Sequence, residues 1–349
     1  MAGAAIAVIT GAFTVRQLAS SSRDKAYENI EIVVDASVGM RTAFHGEAKR
    51  DALKRTLAKV LSNQTAGRDK IALRQYGGEC DQEGNTSLVL GFGLRNHDKI
   101  RDALSKLKLE GKAPLVAGVI KATGDFPNDP DIRKRIIVIA GDGGCDSDPA
   151  KQLGGRLLNR DDAKPIVLDF NFIYLGDSAD EYKKLEAIAK ATGGNSYPAD
   201  TPERLEAALL RTVEVEPVLK DVKTIRKILD EVVNRANDVN TAFSREDYTA
   251  AEQELKSARD EFDRTELVLG DLRKRQNREL FQQAQELASQ NRELQNRALQ
   301  LLQQIIEQGK AKDAGGLEKS AKEYKTVTDN YNANSAKLDG IVQRIARGE

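Results

Sequence analysis

The sequence predicts a two-part chain: an α/β unit on a mostly parallel, doubly wound sheet, then an all-α region of antiparallel helical hairpins or coiled coil. Three observations carry this. Short β-branched runs alternate with helical patterns as far as residue 213. Strand signals stop after Pro217. From there, apolar residues recur at spacings of four and three, the mark of a heptad seam. The expected boundaries are 1–28 for an N-terminal segment and linker, 29–216 for the α/β unit and 217–349 for the helical arm.

Residues 30–34 (IEIVV) read as a buried strand that ends at Asp35. Residues 47–61 then take helical spacing, with Ala52, Leu53, Leu57, Val60 and Leu61 on one face. Further strands are expected over 70–75, 86–90, 135–140 and 165–175, with a short edge strand at Ser196 and Tyr197. Helices are expected over 99–107, 115–123, 149–158, 179–191 and 202–213. The GFG at 91–93 reads as a turn. The run 135–140 (RIIVIA) is the strongest strand and stops at Gly141, Asp142, Gly143 and Gly144. Parallel sheets of this kind bind ligands at the carboxyl ends of their strands. Asp35 and Asp142 both follow strand ends, so they share one rim although far apart in sequence.

Composition removes several function classes. Lys plus Arg and Asp plus Glu both count 54, so nothing suggests nucleic acid as a partner. Two cysteines and two histidines form no zinc pattern. There is no GxSxG elbow and no phosphate-loop lysine motif, and Ser37 has no sequence-defined base. Asp146 and Asp148 read as solvated loop carboxylates. The chain is therefore expected not to be an enzyme. Residues 2–15 (AGAAIAVITGAFTV) are uncharged and apolar. As a helix they would span roughly 21 Å, short of the ~30 Å bilayer core. Three readings stay open: a membrane anchor, an unusual export signal, or an apolar helix packed on a partner.

Four segments carry a family resemblance. They are IEIVVDASVGM at 30–40, GKAPLVAG at 111–118, IIVIAGDG at 136–143 and LEAIAKATGGNSY at 185–197. In order and spacing they resemble the von Willebrand factor type A (VWA) domain over roughly 29–213. The resemblance implies a metal-ion-dependent adhesion site on the rim, where hydroxyls and aspartates hold a divalent cation that a partner carboxylate completes. Here Asp35, Ser37 and Asp142 match family ligands, while Gly39 and Ala113 replace the second serine and the threonine. The alternatives are a weakly held Mg or Ca ion, or no metal, with Asp35 and Asp142 serving the backbone. The ligand count favours no metal. Some bacterial VWA proteins are similar in carrying a cysteine in each of two rim loops, as Cys80 and Cys145 do here. A bridge between them would contribute roughly 4 kcal/mol by chain entropy and imply an oxidising compartment. Two unrelated reduced thiols are the other reading.

In the arm, Val218, Val222, Ile225, Leu229, Val232, Ala236, Val239 and Phe243 form one seam. SRED at Ser244 reads as a capping box for a second helix, with a break at Gly270 as one option. The third helix repeats Leu280, Leu287, Leu294 and Leu301, with Ala284, Asn291, Ala298 and Ile305 beside them. The fourth repeats Leu317, Tyr324, Tyr331, Leu338 and Ile345, with Ala321, Thr328, Ser335 and Val342 as partners. Asn291 is the kind of polar seam residue that fixes register. The expected function is a protein-binding scaffold of the cell envelope, membrane-anchored or periplasmic. It would meet other proteins through rim and arm, and a membrane through residues 2–15. The alternatives are a metal-dependent adhesion module and a cytoplasmic regulatory subunit of an AAA-type ATPase machine.

Overall fold

A computed structural model describes residues 28–62, 69–80, 85–129, 132–158, 168–273, 275 and 278–348. Residues 2–15, the candidate membrane segment, lie outside them. No helix among the described residues is long and apolar enough to cross a membrane.

The chain opens with β1 (Glu28–Asp35), a 3-10 turn (Val38–Arg41) and a small hairpin of β2 (Ala43–Phe44) and β3 (Glu47–Ala48). It continues through α1 (Lys49–Ser62), β4 (Lys70–Tyr76), β5 (Thr86–Leu94), α2 (His97–Ser105), α3 (Leu115–Thr123) and β6 (Arg133–Ala140). Then follow α4 (Pro149–Leu158), β7 (Leu168–Leu175), α5 (Ala179–Thr192), β8 (Asn195–Ala199) and α6 (Pro202–Leu210). The six-stranded sheet has the order β5-β4-β1-β6-β7-β8. All neighbours are parallel except β4 and β5.

Both faces of the sheet are covered, which explains why apolar residues run consecutively at Ile32 to Val34 of β1 and Ile136 to Ala140 of β6 rather than alternating. Ile30, Ile32 and Val34 point to one side, where α1, α2 and α6 supply Leu53, Leu57, Leu104 and Leu209. Val33 points to the other, where α3, α4 and α5 supply Val119, Leu153 and Ile188. The GFG at 91–93 is not a turn: it lies inside β5. The register passes from Ile71 opposite Gly93 to Leu73 opposite Leu90, so the glycines take up a bulge.

The arm begins without a break in the helix. A π turn (Arg211–Val215) joins α6 directly to α7 (Glu216–Ser244), so the expected boundary at 216 falls inside one helical run. Then come α8 (Tyr248–Asp263), α9 (Thr265–Arg273), α10 (Glu279–Lys310) and α11 (Ala314–Arg347). The second expected helix is therefore two, and the break is at Arg264; Gly270 sits inside α9. Ser244 does not cap α8. It ends α7 and donates to the Thr241 carbonyl, while Asp247 caps α8 by accepting the Ala250 N–H at 3.0 Å.

The α7 seam is buried as the heptads require, from Val218 to Val239. It forms two apolar clusters, one with Leu280 and Leu338 and one with Leu255, Leu299 and Ile306. The antiparallel hairpin of α10 and α11 thus packs on α7 and α8 within the same chain. On α11 the buried partners are Ser320 and Val327, while Ala321 is exposed, a shift of one position from the expected stripe. Asn291 is buried and donates to Ser335 across the hairpin at 3.2 Å, the contact expected of a register residue.

Candidate binding rim

The rim lies where the strand order reverses, at the carboxyl ends of β1 and β6. Asp35, fully buried, ends β1. One of its oxygens accepts the Ser37 N–H at 2.7 Å and the other the Gly141 N–H at 2.9 Å, which ties the ends of adjacent strands together. Burial, then the nearby Asp142 charge, raises its carboxyl to about 6, against the pull of those N–H groups. Asp142 follows β6, is half-buried and accepts the Gly144 N–H through Oδ1 at 2.9 Å. The structure thus brings Asp35 and Asp142 together, as their placement after strand ends predicts, and Ser37, which the family resemblance adds, lies beside them.

Gly39 and Ala113 occupy the places that lack hydroxyls. A Cβ on Gly39 would stand 3.1 Å from Asp142 Oδ2 and 3.2 Å from Ser37 Oγ, so the place is tight even for a methyl group and glycine avoids that crowding. The Ser37 hydroxyl is buried with no hydrogen-bond partner. The Tyr76 hydroxyl, at the end of β4, is likewise buried and unpartnered; burial and the charges of Asp35, Asp142 and Asp146 push it well above its ordinary range. Ala113 contributes only its carbonyl, which accepts the Leu115 and Cys145 N–H groups.

The 111–114 loop is held in place by its neighbours. Gly78 and Lys112 form an antiparallel bridge, with N–H to carbonyl distances of 2.9 and 2.6 Å. Gly111 has φ +63, and a side chain there would meet the Gly78 backbone at 2.5 Å, so only glycine fits. Beside it, Cys80 and Cys145 form a disulfide between the β4–β5 and β6–α4 loops, the bridged reading of the two cysteines. Asp146 is not simply solvated: it is half-buried and accepts the Val116 N–H at the start of α3, at 3.1 Å. Asp148 accepts the Lys151 N–H in the first turn of α4.

Several rim residues, Tyr76, Glu181 and Lys49 among them, were not singled out from sequence. Lys49, the first residue of α1, sends its ammonium to the Gly141 carbonyl at 2.6 Å. Burial lowers its pKa, opposed by the charges of Asp142, Asp35, Asp177 and Glu181. Glu181 in turn accepts the Gly143 N–H at 2.6 Å and pairs with Lys184 at 2.9 Å. Lys49 stands at the head of an ordinary amphipathic helix, so no local signal marks it.

The sheet order, the rim at its switch point and the four loop segments agree with one known architecture. The α/β half is a VWA-like domain. No protein-family model matches the chain. An uncharacterized protein of Bacillus subtilis (strain 168), YwmC, is 23% identical over 217 residues, which cover 59% of this chain and 91% of that protein. Among solved structures, the SpRpn10 VWA domain is similar at 15% identity with a TM-score of 0.41, covering 54% of this chain and 96% of that one. An aerotolerance-related membrane protein from Bacteroides fragilis NCTC 9343 is similar at 14% identity with a TM-score of 0.42, covering 53% and 98%. These are likenesses of fold.

The VWA-like rim offers fewer side-chain oxygens for a divalent ion than the family pattern. Both Asp35 oxygens and one Asp142 oxygen are engaged by backbone N–H groups, and Gly39 and Ala113 offer no side-chain oxygen. Among the described residues, no group of three His, Cys, Asp or Glu side chains is arranged to hold a metal. Magnesium needs near-octahedral oxygen coordination, so an ion held by Asp35, Ser37 and Asp142 would take the rest of its ligands from water.

Proposed function

We propose that the protein is a non-catalytic, protein-binding scaffold with two working parts, a VWA-like head over 29–216 and a helical arm over 217–349. One observation carries this reading: the head and arm join at the end of the sheet opposite the rim. Arg275, between α9 and α10, reaches Glu28 at the start of β1 and Asp69 just before β4. Lys220 of α7 holds Asp169 near the start of β7 at 2.5 Å. The arm is therefore fixed at the amino ends of the strands, and the rim is left to meet a partner. Val38 beside it is 51% exposed.

The disulfide supports an oxidising compartment, and hence the cell envelope over the cytoplasm. The apolar residues 2–15 are proposed as the membrane contact. The rim lacks a nucleophile paired with a base, which supports a binding role over a catalytic one. Cross-linking of the native protein in membranes, read by mass spectrometry, tests the scaffold. The expected result is cross-links from the rim loops and from α10 or α11 to the same partner complex. Cross-links confined to the chain itself, or turnover of a substrate by the purified protein, would overturn it.

A further inference from the structure

A cavity of about 430 Å³ lies on the seam between head and arm. Its walls come from β8, α6, the π turn, the residue before α10 and the end of α11. Small-molecule sites usually measure roughly 300–1,000 Å³, so this space suits a small ligand rather than a protein segment. Arg204, Arg211, Arg278 and Arg347 stand around it, and among the described residues that line it none is acidic. Three of these arginines have acidic partners, Asp200, Glu216 and Glu214, that are not part of the lining. A guanidinium carries five N–H donors in a fixed fork. Arg204 gives one to Asp200 at 2.7 Å, and Arg211 gives one to Glu216 and one to the Ala346 carbonyl. Both side chains stay accessible, at 61% and 29% exposure. Between the arginines the wall is apolar. Ala208 and Val215 are buried there, and Leu210 and Tyr197 are half-buried. The Tyr197 hydroxyl already donates to Glu216 at 3.1 Å, so this residue offers the cavity its ring.

We infer that this cavity binds a small amphipathic anion, a single alkyl chain of roughly ten carbons with a carboxylate or phosphate head. The head follows from the sign of the lining. Guanidinium groups meet carboxylates and phosphates through parallel, charge-assisted N–H bonds, and a cationic head would face four like charges. The tail follows from the apolar wall between the arginines, which gains from covering by an alkyl chain. Its length follows from the volume: at about 30 Å³ for each water-sized group, the cavity takes roughly ten to fourteen heavy atoms. The ligand would touch α6 of the head and the last turn of α11 at once, so it binds only the joined form of the chain. This site is separate from the rim, since none of the rim loops lines it.

The test uses the full chain, isotope-labelled, and follows amide NMR shifts with four probes: decanoate, decyl phosphate, acetate and decyltrimethylammonium. Decanoate or decyl phosphate, below its micelle concentration, is expected to shift the Ala207, Leu210 and Gly348 amides saturably. The tighter of the two identifies the head group. Acetate has the charge without the tail, and decyltrimethylammonium has the tail with the opposite charge. Each should bind at least about tenfold more weakly. Arg204→Gln should weaken the anion about tenfold, the loss of one charge-assisted contact. Ala207→Phe should abolish binding by placing a ring in the cavity. Both residues are exposed on α6, and retained amide dispersion separates a filled cavity from a misfolded variant. If Ala207→Phe does not fold, Arg204→Gln decides. Three results would overturn the inference: no saturation by either anion, equal affinity for decyltrimethylammonium, or anion binding that Arg204→Gln leaves unchanged.

Discussion

The two ends of one sheet handle buried charge in different ways. At the rim, carboxylates are satisfied mainly by backbone N–H groups, both of their own loop, as Asp142 by Gly144, and of neighbouring loops, as Asp35 by Gly141. At the base, charges from distant parts of the chain are buried against each other. Glu28, Asp69 and Asp221 face Arg133, Arg135 and Arg275, and every one of these side chains except Arg133 is less than a tenth exposed. Arg135 also donates to the Thr212 carbonyl inside the π turn. Burial raises the Glu28 carboxyl, yet Arg135, Arg275, Arg133 and Lys220 together outweigh it and hold the group below its ordinary range. The difference teaches that the rim is built to be open and the base to be closed. A buried charge network is stabilising only while all its members are present.

The largest expected effect is therefore at the base. Arg275→Ala would leave Glu28, Asp69 and Asp221 short of a partner. A loss of about 3–5 kcal/mol in urea denaturation is expected. A loss under about 1 kcal/mol would mean that the network does not join arm to head. Next is the rim's covalent tie. Replacing Cys80 and Cys145 with serine should cost about 2–4 kcal/mol in reversible unfolding of the head. Hydrogen exchange in α10 and α11 should stay unchanged, and equal deprotection of the arm would erase the contrast between the two ends.

A pH series sharpens the comparison. Burial, opposed by Arg133 and Arg275, raises Asp221 from 3.8 to about 6. With a folded pKa above the unfolded one, its contribution is fully present below about 3.8 and lost as pH rises through about 6. The stability of the native chain relative to Asp221→Asn should then grow between pH 7 and pH 4, on the order of 2 kcal/mol. A flat difference would place Asp221 in water. The smallest effect is expected at the rim: Ser37→Ala removes a hydroxyl with no partner, so thermal unfolding should move by no more than about 0.5 kcal/mol. A larger loss would show that the hydroxyl has a partner within the chain.

Much of the fold was legible because its signals are local. The run 135–140 and the α7 heptads each state their own burial, and the rim follows from where strands end. Asp35 and Asp142 could be placed for the same reason, whereas Ser37 came from the family resemblance. What sequence hides is pairing at a distance. Glu28 and Arg275 lie 247 residues apart and look like ordinary charged residues. Lys49 shows no sign that it will turn toward Gly141. The glycines of β5 look like a turn because glycine permits both a turn and a bulge, and only the β4 register decides between them. Ser244 and Asp247 compete to cap α8, and the helix ending at Ser244 decides the contest.

The π turn between α6 and α7 sets a phase. An α-helix advances about 100° per residue, so one extra residue in a turn rotates everything beyond it by that angle. Upstream, Leu209 and Val213 face the sheet; downstream, Val215, Val218 and Val222 face the arm's own helices. A single continuous rod thus serves two cores that look in different directions. Twisting the arm about its axis would drag α6 across the head, so orientation at one end is geared to orientation at the other.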